Sequence, residues 1–286
     1  MVSLSSTAQM LGAMSTARRV TFSAYVMGAR TPVARALEAA AARGAHVTVR
    51  LNGYFDKHTG TKAMLEANRG AVRALKHAHV DAKLMPRRAS DGPALHLKAC
   101  VCDGAAFLCD RNWSKSEDTV IRDDTSRDVG AVRRAASYTA QPSGAIQFDK
   151  KSGLEAEGGL LRTAHGDRIA VQTESIGFSN PVYSALLNLA KSGKNPRLLI
   201  STYGNRGASL HAVTCLERAG VRVRVTSSCE KFAVTGSGRA WIGSVNATSP
   251  YFNADEIDWG LCSRDSHLVH ALETRFSAAW RNARPL

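Results

Sequence analysis

The sequence predicts an α/β protein made of two similar halves, and three observations carry that expectation. Short apolar, β-branched runs alternate with helical patterns along the chain, an order that produces parallel-type sheets with covered faces. The second half repeats the first element by element, at shifts of 149, 141 and 133 residues. The composition, 44% hydrophobic and 22% charged over 286 residues, suits one large domain or two fused halves and excludes a wholly disordered chain.

In chain order, the first strand is expected over residues 20–27, which are apolar with β-branched and aromatic members. Thr31 and Pro32 then supply an N-cap and a first-turn proline for a helix carrying Val33, Leu37, Ala40 and Ala41 at helical spacing, and Gly44 stops it. Residues 46–51 form a strand pattern, 61–76 a helix and 80–85 a strand. The basic loop 86–93 leads into residues 96–112, HLKACVCDGAAFLCDRN, two short apolar strands joined by the turn Asp103-Gly104. His96 and Lys98 lie two apart and project from one strand face. An otherwise buried face would not carry both without a partner, because an unpaired buried charge is costly. The expected partner is an anion.

At a shift of 149, Thr31, Pro32 and Val33 fall on Asn180, Pro181 and Val182, Leu37 on Leu186, Gly44 on Gly193, and Val20 and Phe22 on Ile169 and Val171. At 141, Leu75, Ala78 and Val80 fall on Leu216, Ala219 and Val221; at 133, Lys98 falls on Lys231 and Asp103 on Gly236. Each drop of eight residues is a shorter loop in the second half, the trace that a duplication leaves. The expected organisation is an N-terminal half over 1–140, a connecting segment over 141–160 and a C-terminal half over 161–286 that ends in a helix over 268–280. The connection is placed at QPSGAIQFDKKSGLEAEGG because it is rich in turn formers.

The spacing His-x-Lys-x4-Asp at His96, Lys98 and Asp103, followed by Asn112, resembles the signature of the phospholipase D superfamily. Members hydrolyse or exchange phosphodiesters and usually carry the motif twice, each copy followed by Gly-Ser-x-Asn. Here Cys109, Asp110, Arg111 and Asn112 stand in that place in the first copy. The second copy is degenerate: Cys229-Glu230-Lys231 occupies the His-x-Lys position and Gly236 the Asp position, whereas Gly243-Ser244-Val245-Asn246 is intact.

The resemblance implies two halves, each a mixed, mostly parallel sheet flanked by helices, packed about a pseudo-twofold axis. A phosphate would sit between His96, Lys98 and Asn112 on one side and Lys231, Ser244 and Asn246 on the other. One histidine would attack phosphorus to form a phosphohistidine and another would protonate the leaving oxygen. Fixed cations would replace a metal, and no cofactor is implied. The catalytic set so implied is His96, Lys98, Asp103, Asn112, Lys231 and Asn246, with Lys98, Lys231, Ser244 and Asn246 holding the substrate phosphate. A carboxylate near the histidine would fix its tautomer, and Glu117, Asp118 and Asp123 are the candidates. Two departures cut against catalysis. Cys229 leaves at most one imidazole, although a thiol could attack if Lys231 lowered its pKa. Asp110, where the family has serine, sets a carboxylate against a bound phosphate.

The balance of 38 Lys and Arg against 24 Asp and Glu, a net +14, favours a polyanionic partner, nucleic acid or an anionic membrane surface, beside the equal alternative of simple solubility. No run approaches the roughly 18 apolar residues of a spanning helix and the N-terminus lacks a secretory pattern, so a cytoplasmic protein is expected. The cysteines at 100, 102, 109, 215, 229 and 262 suit that compartment as buried thiols. Cys100 and Cys102 share the His96 face, which invites a metal reading, but no matched C-x2-C pair completes one. His77 and His79 read as surface or capping residues; His165, His211, His267 and His270 have no partners that make a site, with replacement of the lost imidazole as the alternative, and Arg69, Arg73 and Lys76 read as a solvated helix face rather than a phosphate track. Glu174, on an apolar strand where the first half has Tyr25, needs a partner and is a site candidate. The functional expectation is a phosphodiesterase with a histidine nucleophile, nucleic acid slightly favoured over phospholipid. The alternatives are a phosphatidyl transferase or phospholipase, and a polyanion-binding pseudoenzyme of the same fold.

Overall fold

The computed structural model describes residues 1–55, 61–85, 94–113, 120–137, 145–164, 168–202, 204, 206–251 and 256–286. The chain divides into two compact units, Met1–Phe148 with Asp255–Asp258, and Asp149–Ala254 with Trp259–Leu286.

The first run of elements is β1 (Val2–Ser5), α1 (Thr7–Thr16), β2 (Arg19–Ala24), α2 (Pro32–Ala42), β3 (His46–Asn52), α3 (Thr61–His77), β4 (Asp81–Met85), β5 (Ala99–Cys102), β6 (Ala105–Cys109), β7 (Val120–Asp123) and α4 (Ser126–Ser137). The second run is β8 (Ile146–Asp149), α5 (Lys150–Arg162), β9 (Ile169–Thr173), α6 (Pro181–Lys191), β10 (Arg197–Ser201), α7 (Gly207–Arg218), β11 (Arg222–Thr226), β12 (Phe232–Thr235), β13 (Arg239–Gly243), β14 (Ile257–Ser263), α8 (Ser266–Asn282) and the short β15 (Arg284–Pro285). The sheets have orders β1-β7-β6-β5-β2-β3-β4 and β15-β11-β10-β9-β12-β13-β14-β8. Apart from β15 the two orders are the same, position for position, so the duplication is legible in topology as well as in sequence.

Both sheets are mixed, but parallel pairing is confined to β2-β3-β4 and β9-β10-β11, and the other pairings for which a register is defined are antiparallel. The expectation of mostly parallel sheets is corrected accordingly. The hairpins β5-β6 and β12-β13 need no crossover helix, and each adds antiparallel strands beside a parallel βαβαβ block.

The N-caps and stops predicted for α2 and α6 are present. Thr31 Oγ1 accepts from Ala34 N at 3.2 Å, and Asn180 Oδ1 accepts from Val182 N and Tyr183 N at 3.0 Å each. Gly44 and Gly193 take φ of 88° and 77°, and the next residues, Ala45 and Lys194, donate back to Ala40 and Leu189. This left-handed C-terminal closure is strained for any residue with a Cβ, which is why glycine recurs in both copies.

The segment expected to connect the halves is instead the start of the second repeat. Residues 146–149 form β8, and Lys150–Arg162 form α5, capped by Asp149 Oδ1 accepting from Ser152 N at 2.8 Å. Its glycines are packing residues rather than turn formers: a Cβ on Gly158 would stand 2.5 Å from Pro181 Cβ on α6. The matching pair β1-α1 at the front of the chain, with Ser6 as N-cap, lies before residue 20, where the expected elements begin. Residues 141–144 lie outside the described residues.

Each unit has its own apolar core. In the first, Met10 and Met14 of α1 and Leu37 of α2 pack on Val20, Phe22, Val49 and Phe107; in the second, Leu154, Leu186 and Leu216 pack on Ile169, Val171, Ile200 and Trp241. Among the described residues, no helix is long and apolar enough to cross a membrane.

Candidate active site

The β5-β6 hairpin aims its front end at the chemistry. Asp103 takes φ of 47° in the turn, and its carboxylate accepts from Arg18 N at 3.1 Å and Arg19 N at 2.8 Å. Asp103 was expected in the catalytic set; it stands instead at the far end of β5 from His96, fastening the turn to β2. Gly236 closes the equivalent turn by backbone alone, donating to Arg168 O at 2.7 Å. Asp103→Ala should therefore lower stability by about 1–2 kcal/mol without changing turnover per folded molecule, and Asp103→Gly should recover part of the loss. Thermal melting with an activity assay checks both.

His96 and Lys98 lie just ahead of β5, on a backbone held from two sides. Asn52 Oδ1 accepts from Leu95 N at 3.2 Å, and Ser23 Oγ donates to Leu97 O at 3.3 Å. His96 Nδ1 is 2.7 Å from Asp258 Oδ1, and Lys98 Nζ is 2.8 Å from His96 Nε2. The Asp258 side chain is 3% exposed and that of His96 22%. A carboxylate can only accept and an ammonium can only donate, so the two partners assign the proton to Nδ1 and leave the lone pair on Nε2. Tyr25 fixes the ring from the side, edge-on at 4.7 Å, and its own ring lies 5.6 Å from the Lys98 ammonium. Asn112 Oδ1 accepts from Val26 N at 3.2 Å.

Asp258 is the partner of His96 that sequence reasoning missed. Of the candidates for orienting His96, Asp123 is engaged elsewhere, its Oδ1 accepting from Thr125 N at 2.8 Å. Glu117 and Asp118 lie outside the described residues. The registers explain where a signal existed: Cys109 pairs with Val120 as Gly243 pairs with Gly260, so the counterpart of Asp118 in the second repeat is Asp258.

At the degenerate motif in the second unit, Cys229 is buried with Sγ 3.2 Å from Ser201 Oγ. Lys231 Nζ donates to Cys229 O at 3.0 Å and pairs with Glu174 Oε2 at 3.1 Å. The partner that Glu174 needs is thus the motif lysine, and Tyr25 and Glu174 flank Lys98 and Lys231 at matching places. Ser244 Oγ accepts from Trp259 N at 3.0 Å, and Asn246 Oδ1 is buried with no hydrogen-bond partner among the described residues.

Several of the remaining residues are accounted for by packing or pairing elsewhere. Cys100 and Cys102, 3.6 Å apart between sulfurs, are core thiols, and burial pushes the Cys100 thiol up. Asp110 is buried beside Cys109, whose thiol points at it. His77 and His79 are exposed, Arg69 pairs with Glu66 at 2.7 Å, and His211 packs edge-on against Phe178. His165 lies outside the described residues. His96, Glu256 and Asp258 bring one ligand atom each within 4.8 Å of one another. Two of those atoms already share a hydrogen bond and Lys98 holds an ammonium at the other ring nitrogen, so the arrangement suits proton handling better than cation binding.

The fold is shared with two solved structures. Polyphosphate kinase from Porphyromonas gingivalis matches over 98% of this chain and 47% of its own, with a TM-score of 0.68 and 13% identity. Phosphatidylserine synthase from Haemophilus influenzae matches over 100% of this chain and 87% of its own, with a TM-score of 0.67 and 11% identity. A phospholipase D family member, Nuc from Salmonella typhimurium, covers 49% of this chain at a TM-score of 0.43 and 18% identity and adds nothing to the other two. The chain thus spans about half the length of the polyphosphate kinase it matches. No protein-family model matches it, and no curated protein matches it by sequence.

Proposed function

We propose that the chain is a phospholipase D-like phosphodiesterase in which His96 is the nucleophile. The observation that carries this is the hydrogen-bonded series Asp258, His96, Lys98, which leaves Nε2 unprotonated with its lone pair held by the Lys98 ammonium. Nε2 attacks phosphorus, the P–N bond forms as the P–O bond to the leaving group breaks, and water later releases the phosphoryl group from the ring. Asp258 holds the proton on Nδ1 and stabilises the charge that develops on the imidazole. Lys98, held at Nε2 in the resting site, passes to a phosphate oxygen as substrate arrives, which frees the lone pair. Asn112, and Lys231, Ser244 and Asn246 of the degenerate motif, are the further candidates for holding phosphate. Nucleic acid is favoured over phospholipid by the net +14, and the six free thiols favour a cytoplasmic setting.

A second reading, a polyanion-binding pseudoenzyme, is favoured by the degenerate motif: Cys229 stands where the second histidine would be, and Glu174 neutralises Lys231. One assay separates the two. Purified protein in EDTA should cleave an activated p-nitrophenyl phosphodiester readily and DNA, RNA or phosphatidylcholine weakly, because the general acid, worth typically 10²–10⁴-fold, is missing. Cys229→His should raise activity on the unactivated substrates selectively. If neither protein cleaves any ester while both bind polyanions, the pseudoenzyme reading holds. Brisk cleavage of natural substrates that Cys229→Ala abolishes would make cysteine the catalyst.

A further inference from the structure

The second unit carries a cluster of positive charge that the proposed chemistry does not use. Arg197 on β10 and Arg222 on β11 are direct cross-strand partners in a parallel ladder, and Arg224 lies two residues further along the same face. Adjacent strands run about 4.8 Å apart, and like charges directly opposite are destabilising. The duplication shows that this is a departure. At the matching positions the first repeat has Thr48 opposite Asp81, with Lys83 beyond it. There Asp81 pairs with Arg50 at 2.7 Å and Lys83 at 3.8 Å, and its carboxyl is held below the usual range by Arg50. In the second repeat arginine replaces that central acid, so the charge is concentrated rather than cancelled.

Aromatic contacts and a backbone hydrogen bond hold the arginines in place, and Glu273 is the acid whose charge reaches Arg197 against that of Arg222. Arg197 lies 5.1 Å from the Phe276 ring and 5.6 Å from the Trp280 ring, while Arg222 and Arg224 lie 5.9 and 5.1 Å from Trp280. Arg224 also donates to Trp280 O at 2.6 Å. Aromatic faces fix the guanidinium planes but supply no counter-charge. Among the described residues no carboxylate pairs with any of the three. Beside them is a cavity of about 360 Å³ lined by Arg168, Arg197, His270, Glu273, Phe276 and Arg281. It has three arginines against one acid. It lies where Arg168 and Arg197 enter β9 and β10, whereas Glu174 and Lys231 lie past the other end of β9, so it is distinct from the motif residues of this unit.

We propose that this cavity, together with Arg222 and Arg224, which do not line it but stand beside its Arg197 on the neighbouring strand, is a binding site for backbone phosphates of a nucleic-acid strand, separate from the motif residues. Arginine forks suit planar, two-point recognition of phosphate. A membrane surface fits less well, since interfacial binding draws on buried apolar area as well as charge and none of the cavity's lining residues is an exposed large hydrophobic. The site does not depend on cleavage, so it is tested in the His96→Asn background, where failure of binding and failure of catalysis cannot be confused.

The experiment is fluorescence anisotropy of a labelled single-stranded DNA 12-mer with that protein and with added Arg197→Gln or Arg222→Asp. Each should weaken binding about tenfold, and each lost phosphate contact should lower the salt slope by about 0.7. Arg222→Asp restores the acid of the first repeat, so its melting temperature should hold or rise, which separates lost binding from lost folding. Arg73→Asp, on the exposed face of α3, makes the same charge change elsewhere and should have little effect. Equal losses from Arg73→Asp and Arg222→Asp would overturn the site in favour of diffuse attraction. Unchanged affinity in Arg197→Gln and Arg222→Asp would overturn it outright. So would loss of binding to phosphatidylglycerol vesicles with DNA binding intact, in favour of a lipid surface.

Discussion

His96→Asn is expected to abolish turnover of an activated phosphodiester, by about 10³-fold or more, while leaving substrate affinity nearly unchanged. The variant removes the lone pair on Nε2 but keeps the Lys98 ammonium. Asp258→Asn should cost about 10²–10⁴-fold for a different reason. Its amide can present N–H to Nδ1, which would move the ring proton to Nε2 and bury the lone pair against the amide. Asp258→Glu should restore part of the activity by supplying an acceptor again. A single-turnover assay that traps a labelled protein checks the assignment: wild type should retain phosphoryl label on His96, and neither His96→Asn nor Asp258→Asn should. Full activity in His96→Asn would move the chemistry to Cys229 or to another site.

Replacing Glu157 by methionine should stabilise the protein by several kcal/mol at pH 8 and by far less at pH 5. Glu157 is 1% exposed on α5, its Oε1 has no hydrogen-bond partner among the described residues, and burial pushes its carboxyl from 4.5 to about 8. A folded pKa above the unfolded one means that both states are protonated below about pH 4.5. As pH rises, the unfolded chain ionises first and gains stability relative to the folded one until about pH 8 is passed. The shift corresponds to about 5 kcal/mol lost across that window. With Ser6 and Asp149 matched as N-caps of α1 and α5, the counterpart of Glu157 is Met14, itself fully buried, so methionine has a precedent in the same packing position. Urea unfolding of both proteins at pH 5 and pH 8 isolates the effect, because other titrating groups cancel in the difference. A difference that does not grow with pH would show that the carboxyl reaches water or a partner.

The helix ends that could be anticipated are those set by local spacing. Thr31-Pro32 with Gly44, and Asn180-Pro181 with Gly193, act within a few residues of themselves, so their patterns survive in the one-dimensional chain. Residues 141–160 misled for the complementary reason. Gly153 and Gly158 are ordinary turn formers by composition, and only the approach of Val245 to the first and of Pro181 on α6 to the second shows that they serve packing contacts. The β1-α1 start of the first repeat carried too weak a pattern over four strand residues and ten helical ones.

By itself the sequence determined the α/β class, the duplication, and the placing of a histidine and a lysine two residues apart ahead of a short hairpin. These follow from periodicity and from motif spacing, which act along the chain. The tertiary structure decided which groups those side chains meet. Asp258 reaches His96 across 162 positions, Glu174 meets Lys231, Asp103 turns away to hold β2, and Arg222 faces Arg197 where the first repeat has an acid. Charge pairing and proton assignment depend on distances of a few ångströms through space, and strand pairing brings remote segments to those distances without leaving a local trace in either of them.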